Sequence, residues 1–124
     1  MAQFTLESTK ISTNLVIGDA SDISLVLVDG SNTSEDIAIT LPLAANSTDR
    51  VVCVKCVSTN DGNINVTVKA AGSDGIDGWA AWSTANDRDW LWVQCDGETW
   101  HIIGSGPASG WESQGVGMWT ATTS

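Results

Sequence analysis

Short runs of apolar residues recur along this chain, and turn-forming residues separate them. Ile23–Val28 and Arg50–Ser58 are rich in aliphatic and β-branched side chains, and Ile64–Lys69 alternates apolar and polar positions with a period of two. Trp90–Cys95 and Trp100–Ile103 continue the pattern. No segment longer than a turn has the 3.6-residue period of a helix. The pattern therefore predicts about seven to nine short strands.

Even spacing of short strands is typical of an antiparallel β-sandwich or a jelly-roll-like barrel, so we expect a single all-β domain of one of these kinds. A first strand is expected at Phe4–Glu7, and a hairpin turn at Asn60–Asn63. The domain is expected to have three parts. They are an N-terminal arm with the first strands (residues 1–36), a central β-module (37–106) and a C-terminal tail rich in Gly, Ser and Thr (107–124).

Charge narrows the partners that the chain can have. Its 124 residues include 15 Asp and Glu against 5 Lys and Arg, for a formal net charge of −10. Such a charge repels phosphate backbones and anionic lipid, so we expect neither nucleic acid nor membrane as a partner. The N-terminus has no basic and apolar segments of a secretion signal, and no apolar run is long enough for a transmembrane helix.

The aromatic residues are concentrated near the C-terminus, because all seven Trp lie between Trp79 and Trp119. Strand alternation puts Trp90 and Trp92 on one face and Leu91 and Val93 on the other. If the aliphatic side faces the core, the two Trp form an outward pair that suits a subunit or partner. The alternative is that both faces are covered within one sandwich. The candidate contact residues are Trp79, Trp82, Trp90, Trp92, Trp111 and Trp119.

Three cysteines are present, Cys53, Cys56 and Cys95. Cys53 and Cys56 have the Cys-x-x-Cys spacing of a zinc or redox motif, but they fall within a predicted strand, where an odd separation turns them to opposite sides. We therefore expect small buried thiols, with one disulfide involving Cys95 as the alternative.

No arrangement along the chain predicts catalysis, a metal or a cofactor. The single histidine, His101, has no nucleophile and acid beside it in sequence, so a surface or interface role is expected. Asp74–Gly78 lacks the ligand spacing of a calcium loop, and turn formation explains its acids better. The carboxylate pairs Asp87/Asp89 and Asp96/Glu98 fit a glycosidase only with a groove that a chain of this size is not expected to form.

Five segments, in this order, carry a resemblance to a known family: Ile39–Pro42, Arg50–Cys56, Val66–Val68, Asp74–Gly78 and Asp96–Gly104. They resemble a β-module of tailed-bacteriophage virion proteins found in tail fibres, head fibres and capsid decoration proteins. The resemblance covers about half the chain, between Ile37 and Gly104.

The resemblance implies a non-enzymatic homotrimer on the virion surface, bound to the major capsid protein and synthesised in the host bacterial cytoplasm. The length of the chain favours a capsid decoration (cement) protein or a short head fibre or spike over a long tail fibre. The alternative is a tail-fibre-type module that binds a receptor or a host-surface glycan, since exposed Trp rings stack on sugars. Either terminal segment, Met1–Lys10 or Gly110–Ser124, could extend to a neighbouring subunit.

Overall fold

The computed structural model describes residues 7–106 and 119–122, and nearly all the regular secondary structure of this part is β-strand. Its one helical element is a short 3-10 turn at Ala44–Asn46, so no helix of the described part is long enough to cross a membrane. The all-β prediction is confirmed. The ten strands are β1 (Glu7–Ile11), β2 (Leu15–Val16), β3 (Ile23–Asp29), β4 (Ile37–Thr40), β5 (Val51–Ser58), β6 (Val66–Lys69), β7 (Ala81–Thr84), β8 (Trp90–Cys95), β9 (Trp100–Gly106) and β10 (Thr120–Thr122).

The strands form two mixed, five-stranded sheets. Sheet A has the order β1-β3-β5-β8-β9, and sheet B has the order β10-β7-β6-β4-β2. The antiparallel prediction is wrong for half of the strand pairs, because β1-β3-β5 and β2-β4-β6 run parallel. The pairs β5-β8, β8-β9, β6-β7 and β7-β10 are antiparallel.

The parallel pairs arise because the chain changes sheet after each of its first five strands. Parallel neighbours need a crossover between them, and here the crossover is a strand of the opposite sheet. The turn at Asn60–Asn63 is therefore not a hairpin, since β5 before it lies in sheet A and β6 after it lies in sheet B. It is a tight turn, with positive φ at Asn60, Asp61 and Gly62.

The core lies between the two sheets and is built from the alternate positions of each strand. Ile64, Val66 and Val68 are buried, as their alternation predicts, and so are Leu91 and Val93 of β8. Other members of the same cluster come from β3, β4, β5, β8, β9 and the loops, and include Ile17, Val26, Val28, Ile37, Ile39, Leu41, Val52, Val54, Cys56, Ile76, Cys95, Trp100 and Trp119.

The two ends of the chain were predicted less well than its centre. The first described strand is Glu7–Ile11, and Phe4–Leu6 of the predicted first strand lie outside the described residues. Near the C-terminus, β10 pairs antiparallel with β7 at the edge of sheet B. The pattern of apolar residues did not predict this strand, because Thr-Ala-Thr has no large apolar side chain.

All three cysteines are free and buried, as expected. Cys56 belongs to the core cluster, whereas Cys53 lies in register with Trp92 on the other side of β5. Cys95 also faces the core, and its thiol donates to the carbonyl oxygen of Ala44 at 3.3 Å.

Candidate functional site

The outward side of sheet A carries several large apolar side chains in its three central strands. In β3, β5 and β8 the residues between the buried core positions point away from sheet B. We call these outward positions the A face; they are Leu25, Leu27, Val51, Cys53, Lys55, Val57, Trp90, Trp92 and Gln94.

Strand register arranges the A face in rows that cross the sheet. One row runs from Leu25 through Cys53 to Trp92, and the next from Leu27 through Lys55 to Trp90. Both Trp side chains are half-buried and lie opposite the core side of β8, so the predicted outward position of the pair is confirmed. Large rings and aliphatic chains side by side are typical of surfaces that bind proteins.

Two glycines of β9 leave room for the ring of Trp90. Gly104 and Gly106 lie opposite Trp92 and Trp90, respectively. A Cβ atom at Gly104 would stand 3.2 Å from Cζ3 of Trp90, and one at Gly106 would stand 3.3 Å from its Cζ2. The Trp90 ring therefore rests on β9 in the space that side chains would otherwise fill.

The thiol of Cys53 is covered although it points outward. The residue is only 4% exposed, and the Trp92 side chain hydrogen-bonds with it from the neighbouring strand. Burial raises the pKa of Cys53 to about 11, against smaller opposite effects of Lys55 and of that hydrogen bond. Burial likewise raises the pKa of Cys56 to about 12 and raises that of Cys95. Neutral buried thiols are poor nucleophiles, so these cysteines fit a packing role.

The outward side of sheet B has the opposite character. Most of its outward positions, which we call the B face, carry small or hydroxyl side chains; the exceptions are Lys69 and Val16, which is 72% exposed. Thr67 and Ser83 hydrogen-bond across β6 and β7 at 2.8 Å. A surface of this kind is well solvated on its own. The B face consists of Val16, Ala38, Thr40, Thr67, Lys69, Ala81, Ser83, Thr120 and Thr122, by register with the buried residues of each strand.

Charge also separates the A face from the rest of the chain. Lys55 is the one charged residue among its nine positions. Asp29 lies at the end of β3, where it pairs with Lys10 at 3.6 Å and its pKa is lowered, mainly by hydrogen bonds with Ser31. Lys10 is in register with Leu27, so this ion pair lies on the outward side of sheet A, beside the A face.

The other candidate tryptophans are divided between the surface and the core. Trp79 is 47% exposed, whereas Trp119 is 8% exposed and belongs to the core cluster. Trp82 packs against that cluster, and its Nε1 donates to the carbonyl oxygen of Ile76 at 2.9 Å. The indole of Trp119 donates to the carbonyl oxygen of Trp90 at 3.0 Å and so ties the chain after residue 118 to sheet A. Trp111 lies outside the described residues.

The segments Asp74–Gly78 and Asp96–Gly104 meet at one end of the fold. Ile76 bridges both Trp79 and Trp100, and Asp77 N donates to the carbonyl oxygen of Trp100 at 2.9 Å. Asp74 reaches the 3-10 turn, where its Oδ2 accepts from Ala44 N at 2.9 Å. These segments therefore support one another through backbone contacts, which sequence proximity did not show.

No family model matches the sequence. No curated protein matches it either.

His101 stands at the same end, between two carboxylates. Its Nε2 lies 2.7 Å from Asp96 Oδ2, and its Nδ1 lies 3.8 Å from Asp77 Oδ1. The hydrogen bond with His101 is the main reason why the pKa of Asp96 falls to about 2, and backbone N–H groups of Thr99 and Glu98 add to it. All three side chains are substantially exposed, so this is a surface contact that braces the Asp96-Gly97 turn.

The remaining carboxylates of interest hold loops together. Asp87 Oδ1 accepts from both N and Oγ1 of Thr59 at 2.7 Å, and these bonds lower its pKa. Asp89 is fully buried; Thr84 Oγ1 donates to its Oδ2 at 2.5 Å, and burial raises its pKa. Within the described residues, no group of three or more His, Cys, Asp or Glu is placed to hold a metal ion.

Proposed function

We propose that this chain is a non-enzymatic structural protein of a tailed-bacteriophage virion, either a capsid decoration protein or a short head fibre or spike. The observation that carries the proposal is the A face, where Leu, Val and Trp side chains lie in neighbouring rows of a strongly acidic chain. Surfaces with such composition mark protein contacts more often than they mark small-molecule sites.

The contrast between the two sheets supports a protein partner. Most outward positions of the B face hold Thr, Ser, Ala or Lys, and Val16 is its one large apolar residue within the described chain. The A face has Leu, Val and Trp at the corresponding positions. Covering each Trp ring removes roughly 150–250 Å² from water, so Trp90 and Trp92 are natural anchors for an interface.

The chemistry of the polar groups supports a role without catalysis. The thiols are buried and have raised pKa values, and His101 is engaged with two carboxylates. In this proposal the chain forms a homotrimer on the capsid surface, binds the major capsid protein, and is synthesised in the host bacterial cytoplasm. It uses neither a cofactor nor nucleic acid.

The experiment is mass spectrometry of gradient-purified particles of the phage that encodes the chain. The proposal predicts that the protein co-purifies with the particles in a fixed copy number per major capsid protein. Recovery of the protein only in the soluble fraction of the lysate would refute it.

A second candidate function is a receptor- or glycan-binding module, and the exposure of Trp79 favours it. An exposed indole face can stack on a sugar ring, while Trp82 and Trp119 serve the core within the chain itself. A glycan array compares the wild type with Trp79→Ala. Binding that the substitution abolishes would favour this function, and no binding by the wild type would remove it.

A further inference from the structure

The strand β1 lies at the edge of sheet A, and within the described chain its neighbour in the sheet is β3 alone. Glu7, Ser8 and Lys10 are exposed, and Ile11, the one apolar residue of the strand, is half-buried against the core cluster. Lys10 pairs with Asp29 at 3.6 Å on the surface, where such ion pairs add little stability. Backbone pairing with β3 therefore does most to hold β1 in place.

The strand β3 is anchored independently of β1. Its other edge pairs with β5, and its Val26 and Val28 are fully buried in the core cluster. Release of β1 would therefore uncover one edge of β3 and leave the rest of the core closed. An uncovered strand edge is a template on which another strand can pair.

We propose that β1 is exchanged between copies of this chain, so that β1 of one copy pairs with β3 of the next. The vacated edge already fits this strand: it has the register of β1, it packs Ile11 beside Val28, and it supplies Asp29 for Lys10. Every other copy carries the same strand, so a second copy is the partner that matches the edge. The inference rests on the proposed structural role and names the contact that joins the copies.

The connection that follows β1 favours exchange because it is short. Three residues, Ser12 to Asn14, lead from β1 in sheet A to β2 in sheet B. The four Cα–Cα steps from Ile11 to Leu15 reach at most about 14 Å, and packed sheets lie about 10 Å apart, so much of that reach is used. A short hinge with little slack favours exchange over return to its own sheet.

The two ends of the hinge differ in how firmly they are held. Asn14 Oδ1 accepts from Ala38 N at 2.8 Å, which fixes the start of β2. The chain bends at Ser12 and Thr13, and both residues are exposed. Straightening this bend carries β1 away from its own sheet without moving β2.

The C-terminal strand β10 is anchored in a different way. Trp119, which precedes it, is 8% exposed and belongs to the core cluster, and its Nε1 donates to the carbonyl oxygen of Trp90 at 3.0 Å. Release of β10 would take a tryptophan ring out of the core, whereas release of β1 uncovers one half-buried isoleucine. The N-terminal strand is therefore the one suited to exchange. Exchange from each copy to the next closes into a ring when the geometry allows, which is compatible with a trimer.

Disulfide trapping in the full chain tests the proposal. Lys10 and Leu27 are in register on β1 and β3, so Lys10→Cys with Leu27→Cys links the two strands. The bond joins two chains if β1 is exchanged and stays within one chain if it is not. The matched control is Leu27→Cys with Lys55→Cys, which links β3 to β5 in the same row. Both proteins also carry Cys53→Ala, which removes the native thiol of that face.

Denaturing gels without reductant separate the two cases. After oxidation at high micromolar concentration, the β1–β3 pair is expected to run as species of two and three chains, and the control as a single chain. A second variant inserts Gly-Ser-Gly between Ser12 and Thr13. The longer hinge lets β1 return to its own sheet, so sedimentation equilibrium is expected to show half-association at a roughly ten-fold higher concentration than in the wild type.

A β1–β3 disulfide confined to single chains would overturn the inference, even if the chain associates through another surface. An insertion variant that associates like the wild type would also overturn it, and so would a wild type that is monomeric at high micromolar concentration. A single-chain disulfide in protein recovered from purified particles would refute exchange and leave the proposed function standing. An interchain disulfide in a protein that is absent from particles would refute the proposed function alone.

Discussion

Gly30→Ala tests the packing at the point where β3 leaves sheet A. Gly30 N donates to the carbonyl oxygen of Ser58 at 2.8 Å, which holds the chain close to the end of β5. A Cβ atom added at Gly30 would stand 2.3 Å from Cδ1 of Ile64 and 3.1 Å from the Ser58 oxygen. Ile64 is 1% exposed, so its side chain has little room to move away.

Two opposing effects determine the size of the change. Forcing an extra methyl group into a packed core costs about 1–3 kcal/mol. Replacing Gly by Ala also restricts the unfolded chain, which stabilises the fold by about 0.4–1 kcal/mol where the backbone conformation permits. We therefore expect Gly30→Ala to lower the free energy of unfolding by about 1–2 kcal/mol.

The variant Ile64→Val supplies the decisive comparison, because it removes the Cδ1 atom that the new methyl group would meet. Alone it is expected to cost about 0.5–1.5 kcal/mol. The double variant is expected to lose about 1 kcal/mol less than the sum of the two single losses, since the main clash is absent.

The assay is urea unfolding followed by tryptophan fluorescence, at low protein concentration so that self-association does not add to the measured stability. Losses that add within roughly 0.3–0.5 kcal/mol would show that Gly30 and Ile64 do not contact each other as described, and would refute the reasoning.

Two further predictions concern buried groups. Burial raises the pKa of Asp89, so the folded protein holds the proton of this carboxyl more tightly than the unfolded chain does. The contribution of Asp89 to stability therefore falls as the pH rises from the ordinary pKa of 3.8 through the raised pKa of the folded state. Asp89→Asn is therefore expected to unfold at a higher urea concentration than the wild type at pH 7, with a difference that shrinks toward pH 3; an advantage that instead grows as the pH falls would contradict the assignment. Trp92→Ala uncovers Cys53 and is expected to speed the alkylation of Cys53 by iodoacetamide, with Cys56 as the internal control. Tryptic mass spectrometry separates the two thiols because Lys55 lies between them. Equal protection of Cys53 in the variant and the wild type would show that Trp92 does not cover it.

Much of the core could be predicted from alternation alone. The burial of Ile64, Val66 and Val68 and the outward position of Trp90 and Trp92 follow from a period of two, which is the same in every kind of sheet. For the same reason alternation does not give strand direction. The Asn60–Asn63 turn has the residues of a hairpin, yet it joins two sheets, and this choice depends on distant packing.

The contacts made by acidic residues were also beyond local reasoning. Turn chemistry predicts that Asp side chains bond to nearby backbone, and Asp96 does so with Glu98 N and Thr99 N. Asp74 and Asp87 instead bond to residues 30 and 28 positions away. Only the folded arrangement brings those partners together, so no sequence pattern pointed to them.

The central claim is that the A face of this chain is covered by protein on a virion. An electron-microscopy map of the phage particle tests it most directly. The account predicts density for the two-sheet fold on the capsid surface, with Trp90 and Trp92 turned toward a neighbouring protein. Particles without that density, or a bound chain with its A face open to solvent, would contradict the account.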